Sequence, residues 1–189
     1  LDESTAPHPR IAGDWRTRVG VVGGLSATLM LIYLSVAHLT DSATTLHTLP
    51  TPLDTAAPFS VNWLPAYLLM YVYALAPACI IDDRRLLKRW VLGTLAMYIV
   101  AVPMWLLWPV TTPRAPIDTA SLMGCGLQIV RTLDPPTNCM PSMHVAVATL
   151  VSAILGRLDR AVGRLMWLGV GLIWVSTVTL DQHWFLDGL

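Results

Sequence analysis

Between Val19 and Leu39 the chain carries no charged side chain. Twenty-one residues at about 1.5 Å each cover a ~30 Å hydrocarbon layer, which makes this run a membrane helix before anything else is considered. Ser35-Val-Ala37 has the small residues of a signal-peptidase site, but the apolar stretch exceeds the 7 to 15 residues of a signal peptide, and an uncleaved anchor is expected. The composition agrees. Of 189 residues, 54% are hydrophobic and 13% charged, where a soluble domain carries about a quarter charged.

Four further runs follow the same rule. Phe59 to Ile81 is the second predicted span, with Pro65 and Pro77 as entry or kink points that a membrane bundle tolerates. The third is Trp90 to Val110, whose end, Trp105-Leu-Leu-Trp108, has the aromatic anchors of a membrane interface. Pro141 to Gly156 is the fourth and Leu165 to Leu180 the fifth, and Asp181 to Asp187 reads as the start of a sixth helix. Residues 1 to 18 form a polar arm, and 19 to 189 a single membrane-embedded domain. The chain opens on leucine and closes inside a new apolar run at Leu189, so part of a longer product, cut in helix six, is expected. The predicted fold is thus an all-α polytopic membrane bundle of five full spans and the beginning of a sixth.

Basic residues orient it. With a cytoplasmic amino terminus, the inner segments hold Arg10, Arg16, Arg18, Arg84, Arg85, Lys88, Arg89, Arg157, Arg160 and Arg164, leaving only Arg114 and Arg131 outside. Ten against two is a clear positive-inside bias. The outer face then receives the loop Thr111 to Met140, the start of span four and the start of helix six. A multi-pass plasma-membrane protein with its chemistry on the extracytoplasmic side is expected. The zero formal net charge offers no basis for a nucleic-acid partner.

Three outer segments carry reactive groups. Asn138-Cys-Met-Pro-Ser-Met-His144 places a proline, a hydroxyl and an imidazole at a helix start, where free amides and the helix dipole favour an anion. His144 there is either a solvated interfacial residue or a general acid that protonates an oxygen leaving phosphorus. Ser142 either donates to a phosphate or satisfies local backbone. His183 and Asp187, four apart, share one helix face, so the carboxylate can fix the imidazole tautomer and leave the other nitrogen nucleophilic. The plainer reading is an interfacial histidine and a helix-start acid. Arg114, stiffened by Pro113 and Pro116, is a lipid-headgroup contact or a bidentate phosphate clamp.

Pro141-Ser-Met-His144-Val-Ala146, then Ser176-Thr-Val-Thr-Leu-Asp-Gln-His183 with Asp187, resemble the second and third signature motifs of the type 2 phosphatidic acid phosphatase superfamily. Thr112-Pro-Arg114 resembles the end of the first, and the combination is most similar to the branch that contains inositol phosphorylceramide synthases. The resemblance covers Trp108 to Asp187. It implies a six-helix bundle in which a histidine attacks phosphorus and the phosphohistidine is resolved by water or an alcohol, without a metal or other cofactor. In that scheme His183 is the nucleophile, Asp187 its partner and His144 the acid, with Arg114, Ser142 and Ser176 on the phosphate; Ser176 has the alternative of bonding its own helix. Two cationic positions of the family pattern are Leu107 and Thr177 here, and Arg131, the other outer arginine, is a candidate replacement.

Cys125 and Cys139 share the outer loop, and a bond between them would contribute roughly 3 kcal/mol by the chain-entropy estimate; two free thiols are the alternative. His144, His183 and Asp187 are also a conceivable metal set, but no His-x-x-x-His or Cys-x-x-Cys spacing supports one, and no metal is expected. A transporter or scaffold would spread polar groups through several spans, whereas here they gather at outer ends. The expectation is therefore a metal-independent lipid phosphatase or headgroup phosphotransferase, acting on a phosphorylated lipid among membrane lipids, with an alcohol as the acceptor if the reaction is transfer.

Overall fold

A computed structural model describes residues 15–42 and 45–189. Most of the polar arm, Arg10 included, lies outside them. Seven α-helices and no strand occur among the described residues: α1 Trp15–Asp41, α2 Pro52–Ala56, α3 Leu64–Ile80, α4 Arg84–Leu107, α5 Leu122–Leu133, α6 Met143–Leu155 and α7 Arg160–Thr179. Short 3₁₀ turns, Val61–Trp63 and Phe185–Gly188, precede α3 and close the chain.

Four helical segments are long and apolar enough to cross a membrane: Trp15–Asp41, Val61–Ile80, Arg84–Leu107 and Arg160–Thr179. Each overlaps a predicted span, and α4 and α7 begin earlier because a polar residue caps the helix ahead of the apolar run. Asp83 accepts from the Arg85 amide at 2.6 Å and starts α4 ahead of Trp90, so Arg84, Arg85, Lys88 and Arg89 sit in its first turns. Asp159 does the same for α7, accepting from Ala161 and Val162.

The fourth predicted span is shorter than expected. The Met140–Pro141 peptide is cis, Ser142 is extended, and α6 begins only at Met143. Thirteen residues reach ~20 Å, less than a ~30 Å core. This helix lies in the interior of the bundle. Met143, His144, Val145, Ala148, Val151, Ser152, Ile154 and Leu155 are all buried, as in a helix enclosed by protein rather than by lipid. Val145, Ala148, Val151 and Ile154 join Met70, Tyr73, Trp90 and Ile173 in the largest apolar cluster.

Two further expectations change. The loop Thr111 to Met140 contains α5, capped by Ser121 on the Gly124 amide at 3.0 Å. Its Leu127 is fully buried while Leu122, Ile129 and Leu133 are exposed. The segment after α7 does not begin an α-helix: it turns back and ends in the 3₁₀ turn Phe185–Gly188.

One end of the bundle is held by Arg18, whose guanidinium donates to the Ile81 carbonyl at 3.0 Å, bringing the start of α1 to the end of α3. At the opposite end the connections lace together. His47 bridges Val110, Val110 bridges Asn138, and the Ser60 amide donates to Thr179 at 3.0 Å. The three segments of chemical interest meet at this laced end.

Candidate active site

His144 is the second residue of α6, buried, with its ring 4.7 Å from that of the fully buried Tyr67. His183 reaches it from α7. That helix ends at Thr179, and Asp181 then takes a left-handed conformation (φ 53°), which aspartate tolerates better than most residues. The amides of Gln182 and His183 both donate to the Thr177 carbonyl, at 2.9 and 3.2 Å, folding the chain back across the helix end. The result is a contact of 3.0 Å between His144 Nδ1 and His183 Nε2, two buried imidazoles 39 positions apart in sequence.

Its direction follows from the other nitrogen. His183 Nδ1 lies 2.8 Å from the Cys139 carbonyl, which can only accept, so Nδ1 carries the proton. A neutral His183 then presents a lone pair at Nε2, and His144 Nδ1 must be the donor between the rings. In that tautomer the arrangement is a nitrogen lone pair facing a proton. Asp187 plays a smaller part in it than expected. Its Oδ2 is 3.5 Å from His183 Nδ1 but accepts from the Trp184 amide at 2.8 Å, because the residues between them form a tight 3₁₀ turn rather than an α-helical one. The Cys139 carbonyl is the orienting acceptor. Asp187 remains a buried carboxylate beside the ring, with Oδ1 unpartnered.

Ser142 is buried and its hydroxyl has no partner, while its amide donates to the Asp187 carbonyl at 2.8 Å, tying the terminal turn to the start of α6. Arg114 is near the pair. It donates to the Asp134 carbonyl at 2.8 Å and to Gln182 Oε1 at 3.0 Å, next to His183, and its Nε is buried without a partner. Arg131 uses its terminal nitrogens elsewhere: it donates to the carbonyls of Ala115 (2.5 Å) and Leu180 (2.8 Å), pairs with Asp181 at 3.7 Å and lies over the Phe59 ring, while its Nε, like that of Arg114, is buried without a partner. None of these partners is in the histidine pair, so Arg131 acts as a strut for the turn that carries His183. Burial, then the nearby Arg114 cation, moves its guanidinium below its usual range. The Ser176 hydroxyl donates to Ile173 at 2.6 Å, within its own helix. Thr177 likewise bonds Trp174, and Leu107 is exposed.

Several contributors carry no motif. Asp134 accepts from the Tyr33 hydroxyl at 2.9 Å, and burial raises its carboxyl against the opposing pull of Tyr33 and Arg114. Asp54 accepts from the Phe185 amide at 2.6 Å and anchors the terminal turn from the α2 side. Gln182 could have been noticed as the neighbour of His183, but a backbone acceptor such as Cys139 leaves no trace in residue type. Cys125 is exposed, Cys139 buried and Cys79 exposed, and all three are free, so of the two alternatives for Cys125 and Cys139 the structure has the free thiols. Burial pushes the Cys139 thiol up, away from the reactive thiolate.

Cys139, His183 and Asp187 offer sulfur, nitrogen and oxygen within 4.8 Å of one another, a different trio from the one weighed on sequence. A cation bound through His183 Nδ1 would have to displace the proton that the Cys139 carbonyl now accepts. No known protein family, characterised protein or solved structure matches the chain.

Proposed function

We propose that this chain is an integral membrane lipid phosphatase or headgroup phosphotransferase working through a phosphohistidine, in the manner of the type 2 phosphatidic acid phosphatases that its motifs resemble. The observation that carries the reading is the directed contact of the histidines, with His183 Nε2 holding a lone pair and His144 Nδ1 a proton 3.0 Å away. A phosphoryl group entering between them would receive the lone pair on phosphorus. As the bond from phosphorus to the lipid oxygen breaks, the His144 proton passes to that oxygen. Water or an alcohol then attacks the phosphohistidine, giving its proton back to His144 as the bond to Nε2 breaks.

Phosphoryl transfer asks chiefly for positioning and charge neutralisation. The unpartnered Ser142 hydroxyl, the unpartnered Arg114 Nε and the start of α6, which no side chain caps, are the groups that would meet the phosphate oxygens. In the bilayer we place four full spans, α1, α3, α4 and α7, and a fifth crossing made by the short α6 that they enclose, with the amino terminus cytoplasmic. The laced end, and the site with it, then faces outward at the plasma membrane.

The test is incubation of the purified protein with a panel of lipid phosphates and headgroup donors, scoring free phosphate and new lipid separately. His183→Ala should lower whichever product forms by at least ~10³-fold, in the direction seen when a covalent nucleophile is removed. Turnover that survives the substitution would overturn the proposal. Total loss after exhaustive chelation, restored only by added metal, would favour the Cys139, His183, Asp187 trio as a cation site instead.

A further inference from the structure

A cavity of about 510 Å³ runs down the bundle between α1, α3, α4 and α6, with α5 at its rim. The carboxylate and the imidazole in its wall, Asp134 and His144, belong to the laced end, whereas Gly23 and Trp90 mark the far end. From Leu34 to Gly23 along α1 is eleven residues, about 16 Å. That is close to half of a ~30 Å hydrocarbon layer, the depth of one leaflet. Tyr71 and Leu75 of α3 and Ile129 and Leu133 of α5 line the cavity yet are 40–60% exposed, so it has a side opening toward lipid.

We infer that this cavity receives one hydrocarbon chain of the substrate, that the chain enters sideways between α3 and α5, and that Gly23 and Trp90 set its preferred length. The inference rests on the reading above for what lies at His144. The occupant is a single chain attached to a phosphorylated head: the wall is mostly apolar, and the ionisable pair at the histidine end suits only the head of such a molecule. Trp90, 2% exposed, forms the floor. Each methylene that fits is worth roughly fourfold in binding, so a floor at fixed depth sorts chains by length.

Gly23 makes the inference testable. A Cβ built there meets no atom within 4 Å, so Gly23→Phe can fill the floor without moving backbone. Ala27, one turn nearer the histidines, lines the same cavity and gives a second, more severe variant, Ala27→Phe. Lipid phosphates of graded chain length, each with a photoreactive diazirine at the chain end, would be crosslinked to the protein and the labelled residues mapped. In the unaltered protein long chains should label α1 near Gly23 and α4 near Trp90. In Gly23→Phe the label should retreat toward Tyr33 and Tyr98, and kcat/KM for long chains should fall at least tenfold relative to short ones, with a larger effect in Ala27→Phe.

Unchanged labelling and an unchanged length profile in both variants would overturn the inference, as would label confined to outward residues such as Ile99 and Val100. Crosslinking needs no turnover and is repeated on His183→Ala. Loss of the chain site is therefore read separately from loss of the proposed reaction, and a thermal melt of each variant shows that it is folded.

Discussion

A carbonyl decides the residue-scale chemistry. Because Cys139 accepts from His183 Nδ1 at 2.8 Å, a neutral His183 has its lone pair at Nε2, and the 3.0 Å contact becomes a donor, His144 Nδ1, facing that lone pair. Under the proposed mechanism one histidine must be bare and the other protonated, so the rate should be bell-shaped in pH. His144→Ala should lower turnover about 10²- to 10⁴-fold and remove the alkaline limb of the profile, measured as phosphate or lipid product against pH. A flat profile in the unaltered protein would contradict this division of labour.

Among the elements, α6 and α7 determine whether the two histidines meet, since each helix delivers one of them. Their backbones come close at the short connection that joins them. A Cβ on Gly163 would lie 2.6 Å from the Gly156 Cα, a backbone atom that cannot yield as a flexible side chain would. Gly163→Ala should therefore push the helices apart and cost about 1–3 kcal/mol. Gly171, on the same helix with nothing within 4 Å of its added Cβ, is the control: Gly171→Ala should be neutral or stabilise by up to ~1 kcal/mol. Helical circular dichroism across a denaturant titration in mixed micelles measures both. A Gly163→Ala protein as stable as the control would show that the close approach contributes little.

At the scale of the whole molecule, the proposed orientation puts Arg84, Arg85, Arg160 and Arg164 on one side of the membrane and α5 on the other. Cys125 is exposed on α5, so a membrane-impermeant maleimide added to intact cells should label it; an Arg85→Cys substitution in a Cys125→Ser background should react only after the membrane is opened. The reverse pattern would invert the topology. Much of this architecture was legible in the chain itself. Charge-free runs of about 20 residues have few stable arrangements in water or lipid, so the helices α1, α3, α4 and α7 follow from hydropathy alone, and the motif residues His144 and His183 were identified by type and spacing. What the sequence could not determine depends on contacts between distant segments. Hydropathy does not distinguish a helix enclosed by protein from one facing lipid, so it does not show that α6 is short and buried. Spacing placed Asp187 one α-helical turn from His183, but the left-handed Asp181 and the terminal 3₁₀ turn, anchored by Asp54 and the start of α6, gave the orienting bond to a backbone oxygen. Arg131 became a strut because three acceptors converge on it from separate parts of the chain. Apolar runs determined the helices locally, whereas the proton order at the histidines depends on a carbonyl that only the assembled bundle brings within 2.8 Å.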